Sequence, residues 1–110
     1  MSKASHKRLV FIHGEIKTPP FSEAARRQVG YHLRDVQRGR SLTMPISRPM
    51  PSIGRNVHEL RVGDGDVAWR VIYHVGEHSI RVIDVFMKKT PKTPREVINQ
   101  CKKRLAENPE

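Results

Sequence analysis

The chain predicts a small α+β domain in which an antiparallel sheet is flanked by one helix before it and one after it. Two patterns carry that expectation. Residues 57–62, 67–75 and 80–87 are three consecutive strand-like runs, joined by DGD at 64–66 and GEHS at 76–79. Those connections are too short for crossover helices, so the three runs must form an antiparallel meander. On either side of them, apolar residues recur at helical spacing. The predicted order is β-α-loop-β-β-β-α, and 110 residues suit a single domain around one core.

Each element has its own signal. RLVFIH at 8–13 is a short apolar run fit for a first strand, and GEIKTPP turns the chain away from it. Ser22 is placed to cap a helix over SEAARRQVGYHLRDVQRG, with Ala25, Val29, Leu33 and Val36 as its inner stripe. Gly39 stands where a helix C-terminus wants a glycine. Gly30, in the middle, costs helix propensity and is expected to permit close packing. From Arg40 to Asn56 all periodicity stops, with prolines at 45, 49 and 51. Met44, Ile46, Met50 and Ile53 argue for an ordered loop pinned by apolar contacts. In VAWRVIYHV, Trp69, Val71, Tyr73 and Val75 alternate against Arg70, Ile72 and His74. IRVIDVFM alternates Ile80, Val82, Asp84 and Phe86 against Arg81, Ile83, Val85 and Met87. Thr93, Pro94 and Glu96 spell a capping box with proline at the first helical position. The helix they open has Val97, Ile98, Cys101 and Leu105 inward, and Pro109 ends it.

Charge is the strongest global signal. Twenty-one Lys and Arg against eleven Asp and Glu give +10, a balance that favours an anionic partner, either nucleic acid or an acidic protein. The excess is uneven: residues 1–55 hold eleven basic and three acidic groups, residues 56–110 ten and eight. The apolar run at 67–75 is broken by Arg70 and His74, so no membrane span is expected. The LVFI stretch behind the basic N-terminus is too short for a signal peptide, which points to a cytoplasmic protein. One cysteine excludes an internal disulfide and a multi-cysteine zinc site.

Phosphate-binding glycine loops, nucleophile elbows and H-E-x-x-H are all missing from the sequence. Of the histidines at 6, 13, 32, 58, 74 and 78, only His58 and His74 on neighbouring strands could conceivably share a metal, and no metal or other cofactor is expected. Cys101 reads as a small buried hydrophobe. The cations say more. Arg70 lies in the middle of the most apolar strand, so it needs either a carboxylate partner, Asp84 or Glu59, or an open sheet face aimed at a phosphate. Arg61 can approach the same face, and Lys88, Lys89 and Lys92 leave the last strand beside it. By alternation Tyr73 turns away from Arg70.

At HELR (58–61), WRVIY (69–73) and FMKKTPKTP (86–94) the chain resembles the phage-derived Gp49-like branch of the RelE/HigB toxins, part of the RelE/ParE superfamily. HGE at 13–15, PPFS at 19–22 and SRPMPSIG at 47–54 are similar too, so the likeness covers about 8–106. The resemblance implies a toxin of a type II toxin–antitoxin pair with a RelE-like fold. It further implies ribosome-dependent, metal-independent cleavage of mRNA, by attack of a ribose 2′-OH on the neighbouring phosphate. Arg61, Arg70, Lys88 and Lys89 would then serve the phosphate, with His58 or a lysine of depressed pKa such as Lys88 moving the proton. Lys92 and the helix arginines Arg26, Arg27 and Arg34 would contact RNA. The implied partners are the ribosome, mRNA and a helix-turn-helix antitoxin of HigA type. Two other classes stay open: a gyrase-inhibiting toxin with no nuclease site, and a silent RNA- or protein-binding module.

Overall fold

The structure is a computed structural model that describes residues 6–89 and 93–110. Its elements run β1 (Arg8–Phe11), α1 (Glu23–Gln37), β2 (Ser47–Pro49), β3 (Val57–Asp64), β4 (Val67–Val75), β5 (Ser79–Met87) and α2 (Arg95–Glu107). The five strands form one sheet in the order β1-β5-β4-β3-β2. The expected meander is its centre, since β3, β4 and β5 pair antiparallel in sequence order. The first strand departs from the antiparallel expectation. Leu9 pairs with Ile80 in parallel register: the chain starts beside what will become β5, and α1 then carries it across the sheet to β2 and β3 at the opposite edge. The strand is also shorter than 8–13. It ends at Phe11, and Gly14 then takes φ +92 with its Cα so near Val85 that a Cβ would lie 2.9 Å from Cγ2 of that valine. Any side chain at Gly14 would push the turn off the sheet.

Helix α1 begins as predicted. The Ser22 hydroxyl accepts from the Ala25 amide at 3.0 Å, and Gly39, at φ +92, closes the other end. Its stripe Ala25, Val29, Leu33 and Val36 is buried against Leu60, Val62, Val71, Tyr73, Ile80 and Val82. Phe21 stacks on Trp69 with ring centroids 4.0 Å apart. Asp64 accepts from both the Ser22 amide and the Trp69 indole, tying the start of the helix to the β3–β4 hairpin. Gly30 is not a packing notch against the sheet: a Cβ there would meet nothing within 4 Å.

On the opposite face, α2 covers a smaller cluster of Met50, Ile53, Val57, Ile72, Ile83 and Cys101. Its C-terminal half is tied down by arginines. Arg104 donates to the Ile83 carbonyl at 3.0 Å and lies 3.5 Å from Asp84, while Arg81 donates to the Asn108 carbonyl. The capping box is not made. The N-cap is Pro94, without a side-chain cap bond, and the Thr93 hydroxyl goes to Glu59 on the sheet instead. The proline-rich stretch is pinned by only two of its four apolar residues: Met50 and Ile53 are buried, whereas Met44 and Ile46 are exposed. It also contains β2, which three residues were too few to announce. A register shift at Ile72/Tyr73 leaves Ile83 as an extra residue in β5, so Val85 joins Val82 on the α1 face and Phe86 joins Ile83 on the α2 face, interrupting the simple alternation expected of the strand.

Candidate functional site

Alternation along three strands builds a cationic cluster on the α2 face. In β3, Glu59 and Arg61 point there while Leu60 and Val62 enter the α1 core. In β4, Arg70 stands directly across from Arg61 in the ladder. In β2, Arg48 stands across from Glu59. Lys88 continues from β5, its amide bonded to the Ala68 carbonyl at 2.7 Å. Two like charges directly opposite on a strand pair are destabilising, and here two further cations join them.

The counter-charge is Glu59, whose side chain is fully buried. Its Oε1 accepts from Arg48 Nε at 3.0 Å and lies 3.7 Å from Arg70 Nε, while its Oε2 accepts from the Thr93 hydroxyl at 2.9 Å. Arg48 reaches Thr93 as well, at 3.3 Å. Arg70 donates to the Trp69 carbonyl at 3.0 Å. One carboxylate thus orients two guanidiniums and anchors the segment entering α2. Of the two partners the sequence offered Arg70, Glu59 is used, and Asp84 serves Arg104 instead.

The cluster alters its own members. Burial pulls the Lys88 ammonium below the ordinary lysine value; Glu59 opposes that, and Arg70, Arg48 and Arg61 add to it. Burial likewise lowers Arg70, again against Glu59 and with Arg61 and Arg48. An arginine stays charged under such pressure, whereas a lysine gains access to its neutral form.

Other candidates lie elsewhere. Lys89 is exposed at the same strand end, and Lys92 falls outside the described residues. His58 is on the α1 face, stacked against Tyr73 with centroids 5.4 Å apart, so the sheet separates it from Arg61 and Arg70. Burial lowers its pKa. Tyr73 does turn away from Arg70, and its hydroxyl pairs with Ser47 at 2.8 Å. His74 is on the α2 face with Arg81, so it cannot share a metal with His58. Arg26, Arg27 and Arg34 are exposed on α1, across the sheet from the cluster, and Arg27 is paired with Glu23. Sequence reasoning missed Arg48 and Thr93. Arg48 sits in a run with no usable period, and Thr93 fitted a helix-capping motif that concealed its bond to the sheet.

A small mixed sheet with a helix on each face and a cationic cluster at one corner defines a RelE-like toxin fold. The model of the family described as phage-derived protein Gp49-like (DUF891) matches residues 19–106, so the chain belongs to that family, a RelE/HigB-like toxin family. At this level the chain is a toxin of the toxin–antitoxin class, whose partner is an antitoxin. The match begins after β1, leaving the 8–18 part of the sequence likeness outside it. No curated protein and no solved structure matches the chain significantly.

Proposed function

We propose that the chain is a ribosome-dependent, metal-independent mRNA endoribonuclease whose site is the Arg48/Arg61/Arg70/Lys88 cluster. The observation that carries this reading is that four cations converge on one sheet face around a single carboxylate, Glu59. A fold gains no stability from crowding like charges, whereas a bound phosphate would relieve the excess.

In the reaction, the ribose 2′-oxygen forms a bond to the adjacent phosphorus and the bond from phosphorus to the 5′-oxygen breaks. Arg61, Arg70 and Arg48 stabilise the charge gathering on the phosphoryl oxygens. Lys88 in its neutral form takes the 2′-OH proton, a role its lowered pKa suits. Lys89 is the candidate to return a proton to the leaving 5′-oxygen. Glu59 and Thr93 touch no substrate in this scheme; they hold Arg48 and Arg70 in position.

Primer extension on cellular mRNA after induction, with translation running and with it blocked, tests the proposal. Cuts that appear only during translation are expected, and purified protein treated with a chelator should gain nothing from added magnesium or zinc. Intact transcripts together with inhibited DNA supercoiling would replace this reading with the gyrase one. Intact transcripts without growth arrest would leave a silent binding module.

A further inference from the structure

Across the sheet from the cationic cluster, β1 and α1 leave a trough of about 280 Å3. Its floor is apolar: Leu9 and Phe11 from the strand, Val29 and Leu33 from the helix, and Ile16 from the connection. Phe11 is 43% exposed. Gly30 opens the helix side, since a Cβ would meet nothing within 4 Å. Arg26 and Arg34 flank it one turn before and one turn after, on the same stripe. Neither is ion-paired among the described residues, in contrast to Arg27.

The strand side is open too. β1 is an edge of the sheet. In parallel pairing each residue directs its N–H and C=O to the same side. Arg8 and Ile12 donate to the β5 side, to His78 and Val82. Leu9 and Phe11 therefore turn their backbone groups outward, and no partner for them occurs among the described residues beyond the sheet ladder. An open edge beside an apolar trough accepts an added strand.

We infer that this edge and trough dock an extended acidic–apolar segment of the antitoxin, with the pattern acidic-x-apolar-x-acidic on the face turned to α1. The occupant follows from charge and spacing. Eight helical residues carry Arg26 to Arg34 over about 12 Å. Four extended residues cover about 13 Å and return the side chain to the same face. Two carboxylates four residues apart therefore meet the two guanidiniums, and the residue midway between them enters the gap at Gly30. A carrier of +10 charge selects an acidic partner on encounter. Docking here leaves Arg61, Arg70 and Lys88 uncovered, so this contact would not act by plugging the cluster.

The inference rests on the antitoxin partnership of the family, not on the ribonuclease reading. Titration calorimetry of the purified chain with the antitoxin encoded beside it tests the surface. Arg26→Glu with Arg34→Glu should weaken binding about hundredfold. Gly30→Leu, which fills the gap and favours the helix, should weaken it about tenfold without lowering the melting temperature. Arg70→Ala should bind within about threefold of the parent. In the complex, hydrogen exchange at the Leu9 and Phe11 amides should slow. Unchanged affinity in both trough variants, a larger loss from an Arg70→Ala protein that melts cooperatively like the parent, or unslowed Leu9 and Phe11 amides would each overturn the inference. So would a dimer of the free chain that Gly30→Leu disperses, which assigns the trough to a second copy. A parent chain that binds no antitoxin would remove the partnership itself, while leaving the cleavage test untouched.

Discussion

The two faces of the sheet do opposite things with the same alternation. Under α1, twelve buried apolar or aromatic residues interlock, and the polar ends of Tyr73 and Trp69 are satisfied by Ser47 and Asp64. Under α2, six buried residues form a smaller cluster, and the strands continue beyond it as Arg48, Arg61, Arg70 and Lys88. The first face stabilises the fold and the second spends some of that stability on concentrated charge. A strand whose residues point alternately to both faces can carry both roles, because Val71 and Arg70 are neighbours in sequence yet lie in different environments.

Core truncation gives the largest expected contrast. Leu33→Ala removes a buried side chain from the α1 face and should cost about 2–5 kcal/mol in urea unfolding. Ile98→Ala on the half-buried inner side of α2 should cost about 1 kcal/mol. Equal losses would mean that the two faces support the fold alike.

Arg70→Ala comes next and should reverse the comparison. Cleavage on the ribosome should fall about 10²–10³-fold, while the unfolding midpoint moves less than in Leu33→Ala, because Arg48 still neutralises Glu59. A stable, fully active Arg70→Ala protein would remove Arg70 from the site. A protein that fails to fold would make Arg70 a structural partner of Glu59 alone. Arg61→Ala should weaken cleavage less, since Arg61 is only half-buried and makes no ion pair among the described residues.

How much of this could be read in the sequence depended on the length of each pattern. The meander was legible because strands of eight and nine residues repeat their alternation several times, and α1 because its stripe spans three turns and its cap is a serine. The parallel attachment of β1 was not, since four residues say nothing about which edge they join. Arg61, Arg70 and Lys88 were legible as a convergent set because all lie on or just past long strands. Arg48 was hidden in a three-residue strand, and Thr93 in a motif that usually means something local. His58 was proposed for the site because its neighbours in HELR belong there, yet adjacency in a strand is what sends it to the other face.

Lys88 offers a smaller effect that sharpens the charged face. With its pKa held below the ordinary lysine value by burial and by the surrounding arginines, its neutral fraction grows at a lower pH than that of a free lysine. Single-turnover cleavage should therefore rise with pH on a limb lying below 10.5. Lys88→Arg should keep the charge, lose that limb and cleave more slowly. A limb that survives in Lys88→Arg would assign the proton transfer elsewhere.

The smallest expected effect sets one imidazole of each face against the other. His58 lies on the α1 face and burial lowers its pKa from 6.5. His74 lies on the α2 face, where burial again comes first, Arg81 adds to it, Glu110 opposes it, and His58 and Lys7 add smaller repulsions. In both cases the unfolded chain takes up a proton at a pH where the native protein does not. Stability is therefore complete above 6.5 and is lost as the pH falls through 6.5 toward the lowered native values. Urea midpoints measured from pH 8 down to pH 5 should decline in that window, and His58→Asn or His74→Asn should each flatten part of the decline. Sodium chloride separates the two faces. The His74 share contains a repulsion from Arg81 that outweighs the attraction of Glu110 and that salt screens, whereas the desolvation of His58 is insensitive to salt. Added salt should accordingly reduce the acid loss in His58→Asn, where His74 remains, more than in His74→Asn. A midpoint that rises on acidification would show that neither imidazole is held neutral by the fold.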